Sequence, residues 1–142
     1  MITGLDHIAI AVADLDKSIE RFAVDFGLDL KGREDVAEAK TSAAFLPIKN
    51  SNIELVHPLN GGGPIQKYLD KNGRGGMHHL CFSSDNIEED VERLKTKGYE
   101  FLSDKPSLGA HNCMVIFIHP KSTDGVLIEL NQPMPFDGTQ GA

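Results

Sequence analysis

The chain carries one pattern twice. Residues 7–22 read HIAIAVADLDKSIERF and residues 79–94 read HLCFSSDNIEEDVERL. Each copy opens on a His, alternates apolar residues for four or five positions and then turns acidic. Each runs on into a helical pattern with Glu-Arg before an apolar residue: Glu20, Arg21, Phe22 and Glu92, Arg93, Leu94. With one residue dropped, Phe26-Gly27-Leu28 falls against Lys97-Gly98-Tyr99. The later parts match more loosely. Phe45-Leu46-Pro47 faces Ile118-His119-Pro120, and Ile53-Glu54-Leu55 faces Ile128-Glu129-Leu130, with two more residues between Pro and Glu in the second copy. A repeat of this kind is strongly constraining, because each copy is a supersecondary block that buries its apolar face only against other structure.

Each copy reads as strand, helix, then three strands. Ile8, Ile10 and Val12 alternate with Ala9 and Ala11, as a strand requires. Asp14 or Asp16 can cap the first helix, whose apolar face uses Leu15, Ile19, Phe22, Ala23 and Phe26, with Gly27 closing it. In the second copy Asp85 or Asn86 caps, Ile87, Val91 and Leu94 line the face, and Gly98 closes. Segments 41–48, 51–57, 113–119 and 125–131 are the later strands, broken at Lys49-Asn50 and at the turn from Ser122 to Gly125. The expected architecture is α+β: two tandem βαβββ units forming a curved, eight-stranded mixed sheet around a metal site. The whole chain, 1–142, reads as one domain, with repeat one at about 4–58, a connection at 59–76, repeat two at about 77–132 and a tail at 133–142. The connection holds a short helix around Pro64–Leu69, and the Pro- and Gly-bearing tail is expected to fray.

Bulk properties exclude some functions. A net charge of −7 over 142 residues argues against wrapping nucleic acid, which needs a basic stripe to displace counterions. No stretch approaches the ~20 apolar residues that span a bilayer, and the first residues lack a signal-peptide pattern. The two cysteines, Cys81 and Cys113, form no CxxC pair and read as small buried residues of a reducing compartment. The expected location is the cytoplasm.

The repeat also sets the chemistry. Each copy begins with a strand bearing a His and ends with a strand bearing a Glu: His7 with Glu54, His79 with Glu129. If the first and last strands of each copy are neighbours, the four side chains converge. Two imidazoles and two carboxylates suit a borderline divalent ion such as Co²⁺, Ni²⁺, Zn²⁺, Mn²⁺ or Fe²⁺, with positions left open for water or substrate. A lone His at a strand start is more often structural, and a Glu between apolar neighbours is more often the exposed half of a strand. Their symmetric recurrence favours the metal site.

Several segments together carry a family resemblance: DHIAIAV at 6–12, IELVHPLN at 53–60, GGMHHL at 75–80, LGAHN at 108–112 and HPKSTDGVLIEL at 119–130. The chain resembles the vicinal oxygen chelate superfamily and, within it, the methylmalonyl-CoA epimerase family, from about Gly4 to Gln132. The resemblance implies metal ligands at His7, Glu54, His79 and Glu129, with Co²⁺ the first choice of ion, an acyl-CoA substrate and a homodimer. It implies proton transfer at the carbon between thioester and carboxylate, with Glu129, and alternatively Glu54, as the base. His78 adjoins His79, but the alternation of a strand points it to the other face. Some members place a second Glu just before the FLP-like segment. Alignment sets Ser42 there, too weak a base to act unaided, so Glu54, a water or Glu38 would take its part. His111, Lys121 and Ser42 are candidate substrate contacts, while Gln66 and Lys67 read as surface. No Gly-rich phosphate loop is present, so CoA would be held by scattered groups and helix ends.

Other readings share the fold. A glyoxalase-like lyase or isomerase acting on a glutathione hemithioacetal would use the same four ligands. An extradiol dioxygenase needs two His and one carboxylate. A metal-free binding module would need neither His nor Glu.

Overall fold

The computed structural model describes residues 1–134, and the tail from 135 onward lies outside them. Leu5–Cys81 makes one compact unit, and Met1–Gly4 with the chain from Phe82 makes the other.

The first unit takes in most of β1 (Ile2–Ala11), the helix α1 (Leu15–Ile19), β2 (Gly32–Val36), β3 (Thr41–Ile48), β4 (Ser51–Pro58), α2 (Gly63–Lys71) and the start of β5 (Gly76–Ser84). Asp14, not Asp16, caps α1, its side chain accepting from the Lys17 N–H at 3.1 Å. The helix then widens into a π turn over Glu20–Asp25, where the Phe26 N–H donates to the Arg21 carbonyl. That i→i+5 bonding lengthens the turn, so Phe26 falls off the buried stripe and is 62% exposed, against the expectation of an apolar helix face running through it. Leu15, Ile19, Phe22 and Ala23 do pack on the core. Gly27 closes the helix at φ +77°, the left-handed geometry a helix C-terminus favours.

Strand order in this unit is β2-β3-β4-β1, with β4 parallel to β1, so the first and last strands of repeat one are neighbours as expected. Side chains alternate across the pleat, and two cores show which residues share a face. Ala44, Leu46 and Leu55 pack with Val12 and Leu15 beneath α1. Ala11, Ala43 and Val56 pack against Ile65 of α2, with Phe45 and Tyr68 beside them. His7 and Glu54 lie in step with this second set, on the α2 face. α2 is longer than the expected short helix. It ends where the chain passes so close to β1 that a Cβ on Gly75 would sit 2.1 Å from the Ala11 carbonyl oxygen.

The second unit holds α3 (Ile87–Thr96), β6 (Ser107–Leu108), β7 (Cys113–Ile118) and β8 (Ile128–Pro133). Asn86, not Asp85, caps α3 by accepting from the Glu89 N–H. Ile87 and Val91 pack on Ile116, Ile118 and Leu130. β8 starts three residues later than the expected 125, because the turn after Pro120 is held by Gly125 N–H to Pro120 O and Val126 N–H to Thr123 O. Phe117 lies opposite Glu129, as Phe45 lies opposite Glu54. The two Phe residues are thus equivalent, one position away from the looser sequence match that paired Phe45 with Ile118.

Candidate metal centre

His7 sits on β1 and is 6% exposed. Its Nδ1 is 2.7 Å from Asp6 Oδ2 and 2.9 Å from Glu54 Oε2. Facing two carboxylates, Nδ1 carries the ring proton, which leaves Nε2 with its lone pair outward. That Nε2 lies 3.2 Å from Nε2 of His79 on β5. His79 Nδ1 is 2.9 Å from His78 Nδ1, and the His78 ring meets Tyr68 of α2 edge-on. His78 is therefore held between α2 and its neighbour rather than facing cleanly away. When the proton of that contact is on His79, two Nε2 lone pairs face each other at 3.2 Å, an arrangement a cation relieves. The donor set fits a divalent ion.

Glu54 is brought to the same place, its side chain 17% exposed. Its β4 position is paired with Phe45 on one side and Ala9 on the other. Glu129, in the second unit, is 8% exposed, so it is not the solvent-facing half of an alternating strand. Two residues along on the same face of β8, Asn131 is buried, and its Oδ1 has no hydrogen-bond partner among the described residues. It is a polar atom that a ligand can satisfy.

Two further residues lie at the first-unit cluster and a third shares its sheet face, none of them read as a site residue in the sequence. Asp6 adjoins His7 on β1, and its carboxylate meets the His7 ring although alternation sets neighbouring strand residues on opposite faces. Cys81, read as a small core residue, is buried with its Sγ within 4.8 Å of ligand atoms of Asp6 and His7. Glu34 on β2 pairs with Ala43 and shares the face of Glu54, whereas its neighbour Arg33 turns to Asp16 of α1 at 2.9 Å.

The remaining candidates fall elsewhere. Ser42 lies on the α1 face, opposite to Glu54, and its hydroxyl donates to Asp35. The residues of β3 on the Glu54 face include Thr41, Ala43 and Phe45. Glu38 stands exposed in the β2–β3 turn. His111 occupies an exposed left-handed turn position at φ 56°. Lys121 is paired with Glu100 at 2.5 Å.

The profile of the glyoxalase/bleomycin resistance protein/dioxygenase superfamily matches residues 6–117. The ethylmalonyl-CoA/methylmalonyl-CoA epimerase of Cereibacter sphaeroides is 39% identical over 93% of this chain and 99% of its own length. The chain belongs to the methylmalonyl-CoA epimerase family of that superfamily. The crystal structure of methylmalonyl-CoA epimerase from Mycobacterium tuberculosis superposes with a TM-score of 0.88, at 35% identity over 94% of this chain and 90% of that one. A methylmalonyl-CoA epimerase in complex with methylmalonyl-CoA and NH4+ gives the same score at 32% identity, covering 94% of this chain and 96% of that one. The fold is therefore the expected one, an eight-stranded mixed sheet with helices, as in the solved relatives. Among the described residues no helix is long and apolar enough to cross a membrane.

Proposed function

We propose that the protein interconverts the R and S epimers of methylmalonyl-CoA by proton transfer at C2, with His7, Glu54, His79 and Glu129 holding a divalent ion, Co²⁺ in the first instance. The observation that carries this reading is the likeness to methylmalonyl-CoA epimerases over nearly the whole chain, joined to the convergence of His7, His79 and Glu54. A bound divalent ion supplies Lewis acidity to the thioester and carboxylate oxygens, which stabilises the enolate left by deprotonation.

The chain's own groups move the proton. Glu129 takes it from C2 on one face, and a second acid returns a proton to the other. We assign that acid to Glu34, which lies on the Glu54 face of β2, since this reading gives Glu54 to the ion, Ser42 lies on the opposite face and Glu38 stands in an exposed turn. His111 and Asn131 are available to the substrate, whereas Lys121 reaches an anion only by leaving Glu100. The substrate need not be recognised by a phosphate loop. The working state is a homodimer in the cytoplasm, a reducing setting that suits the two buried cysteines.

Deuterium exchange at C2 of methylmalonyl-CoA in D₂O, followed by NMR, tests the reading with metal-free protein, Co²⁺-loaded protein and Glu129→Gln. Metal-dependent exchange with epimer interconversion, lost in the variant, is expected. A folded, fully loaded protein that exchanges nothing would overturn it, and glutathione hemithioacetals would be the next substrates.

A further inference from the structure

His7 Nδ1 has two carboxylate partners, and one N–H cannot point at both with good geometry. Asp6 is the nearer, at 2.7 Å, and Glu54 is at 2.9 Å. The two carboxylates differ in what else they can do. Glu54 comes from the adjacent parallel strand, paired with Ala9, two residues beyond His7 on the same face, and can extend toward the Nε2 side. Asp6 is the direct chain neighbour of His7, and its carboxylate is the nearer of the two to Nδ1. The local backbone holds it there: the Asp6 carbonyl accepts from Ser51 Oγ at 3.2 Å and from Asn52 Nδ2 at 3.1 Å. Both donors are on β4, so Asp6 is tied to the strand that also carries Glu54.

We infer that Asp6 is the positioning residue of the metal centre: it holds the Nδ1 proton of His7, fixes the tautomer that presents Nε2, and so frees Glu54 to turn from Nδ1 to the ion. This rests on the metal-site reading above. A carboxylate on the distal ring nitrogen orients a ligating imidazole and raises its basicity, and losing such a partner costs about 10–100-fold in metal affinity. Without Asp6, Glu54 is the remaining carboxylate at Nδ1. It must then serve either His7 or the ion, and the site loses an orienting group or a ligand. Glu54 thus changes partner between the metal-free and loaded states, while Asp6 keeps its own.

The test is Co²⁺ binding without substrate, by competition with a chromophoric chelator and by the visible spectrum of the bound ion. It uses the wild type, Asp6→Ala, Asp6→Asn and Glu54→Gln. Asp6→Ala is expected to bind Co²⁺ about 10–100-fold more weakly with an altered spectrum. Asp6→Asn, whose carbonyl oxygen can still accept from Nδ1–H, should recover part of that loss. The thermal midpoint of metal-free Asp6→Ala should match the metal-free wild type. Co²⁺ affinity in Asp6→Ala within twofold of wild type overturns the assignment. So does an affinity loss matched by a lowered metal-free midpoint, which would make Asp6 a fold residue. If wild type binds Co²⁺ but exchanges no C2 proton, the epimerase reading fails and the role of Asp6 stands.

Discussion

His7 and His79 are 72 residues apart in the chain, yet their Nε2 atoms lie 3.2 Å from each other. Each is the opening residue of its repeat, so the duplication itself places both rings at one point. His7→Ala or His79→Ala removes a ligand outright and should weaken Co²⁺ binding more than the roughly 100-fold upper cost of losing an outer partner. With Co²⁺ at about 100 times its Kd, wild type gains about 2.7 kcal/mol of stability. Denaturant titrations with and without Co²⁺ should show that gain in wild type and less than about 0.4 kcal/mol in either variant at the same concentration.

Glu34→Gln separates the two faces of C2. When Glu129 and Glu34 act from opposite sides, the variant still exchanges the C2 proton of one epimer and loses interconversion by about 10²–10⁴-fold. NMR in D₂O starting from each pure epimer reads this directly. Interconversion within threefold of wild type would move the second acid elsewhere.

Asp90 couples stability to pH. It is fully buried on α3, and burial, the largest influence on it, acts to raise its pKa. Hydrogen bonds from Ser84 Oγ, Arg93 Nη1 and the Met1 ammonium outweigh that and hold the carboxyl below its ordinary value. A depressed carboxylate stabilises the fold above its unfolded pKa, near 3.8, and that contribution fades as pH falls through the lower folded value. Asp90→Ala, which strands these donors, should cost about 2 kcal/mol at pH 7. The gap between variant and wild type should narrow from pH 4 downward in urea titrations.

Gly75 and Gly98 give a matched pair. Both have positive φ, +85° and +92°, but a Cβ on Gly75 meets the Ala11 carbonyl oxygen at 2.1 Å while one on Gly98 meets open space. Gly98→Ala should cost about 1–2 kcal/mol from backbone strain alone. Gly75→Ala adds the collision between β1 and the start of β5 and should cost about 2–5 kcal/mol. Equal midpoints in urea for the two variants would contradict this.

Much of the architecture was legible because it rests on local chemistry repeated twice. The alternation at Ile8, Ile10 and Val12, a cap at Asp14 or Asp16 and at Asp85 or Asn86, and the glycines at 27 and 98 each act within a few residues, so their pattern is written in the chain, and the structure chose Asp14 and Asn86. What was less legible involved register. The helix face failed at Phe26 because a π turn changes which residues stack, and nothing in the residue types announces i→i+5 bonding. The equivalence of Phe45 with Phe117 rather than Ile118 depends on the ladder bonds that set each Phe opposite its Glu.

The sequence by itself determined that the chain is a duplicated βαβββ protein of this family, with a His opening and a Glu closing each copy. The repeat and its His and Glu positions follow from periodicity and spacing, which survive small errors of alignment, and the family follows from the resemblance of particular segments. Tertiary structure alone decided which side chains look at each other: Asp6 on His7 Nδ1, Glu34 on the face of Glu54, Ser42 turned away beneath α1. The physical reason is the two-residue period of a strand. A slip of one position leaves the composition and spacing nearly unchanged yet sends every side chain to the opposite face. Only the hydrogen-bonded register, built from contacts distant in the chain, resolves it.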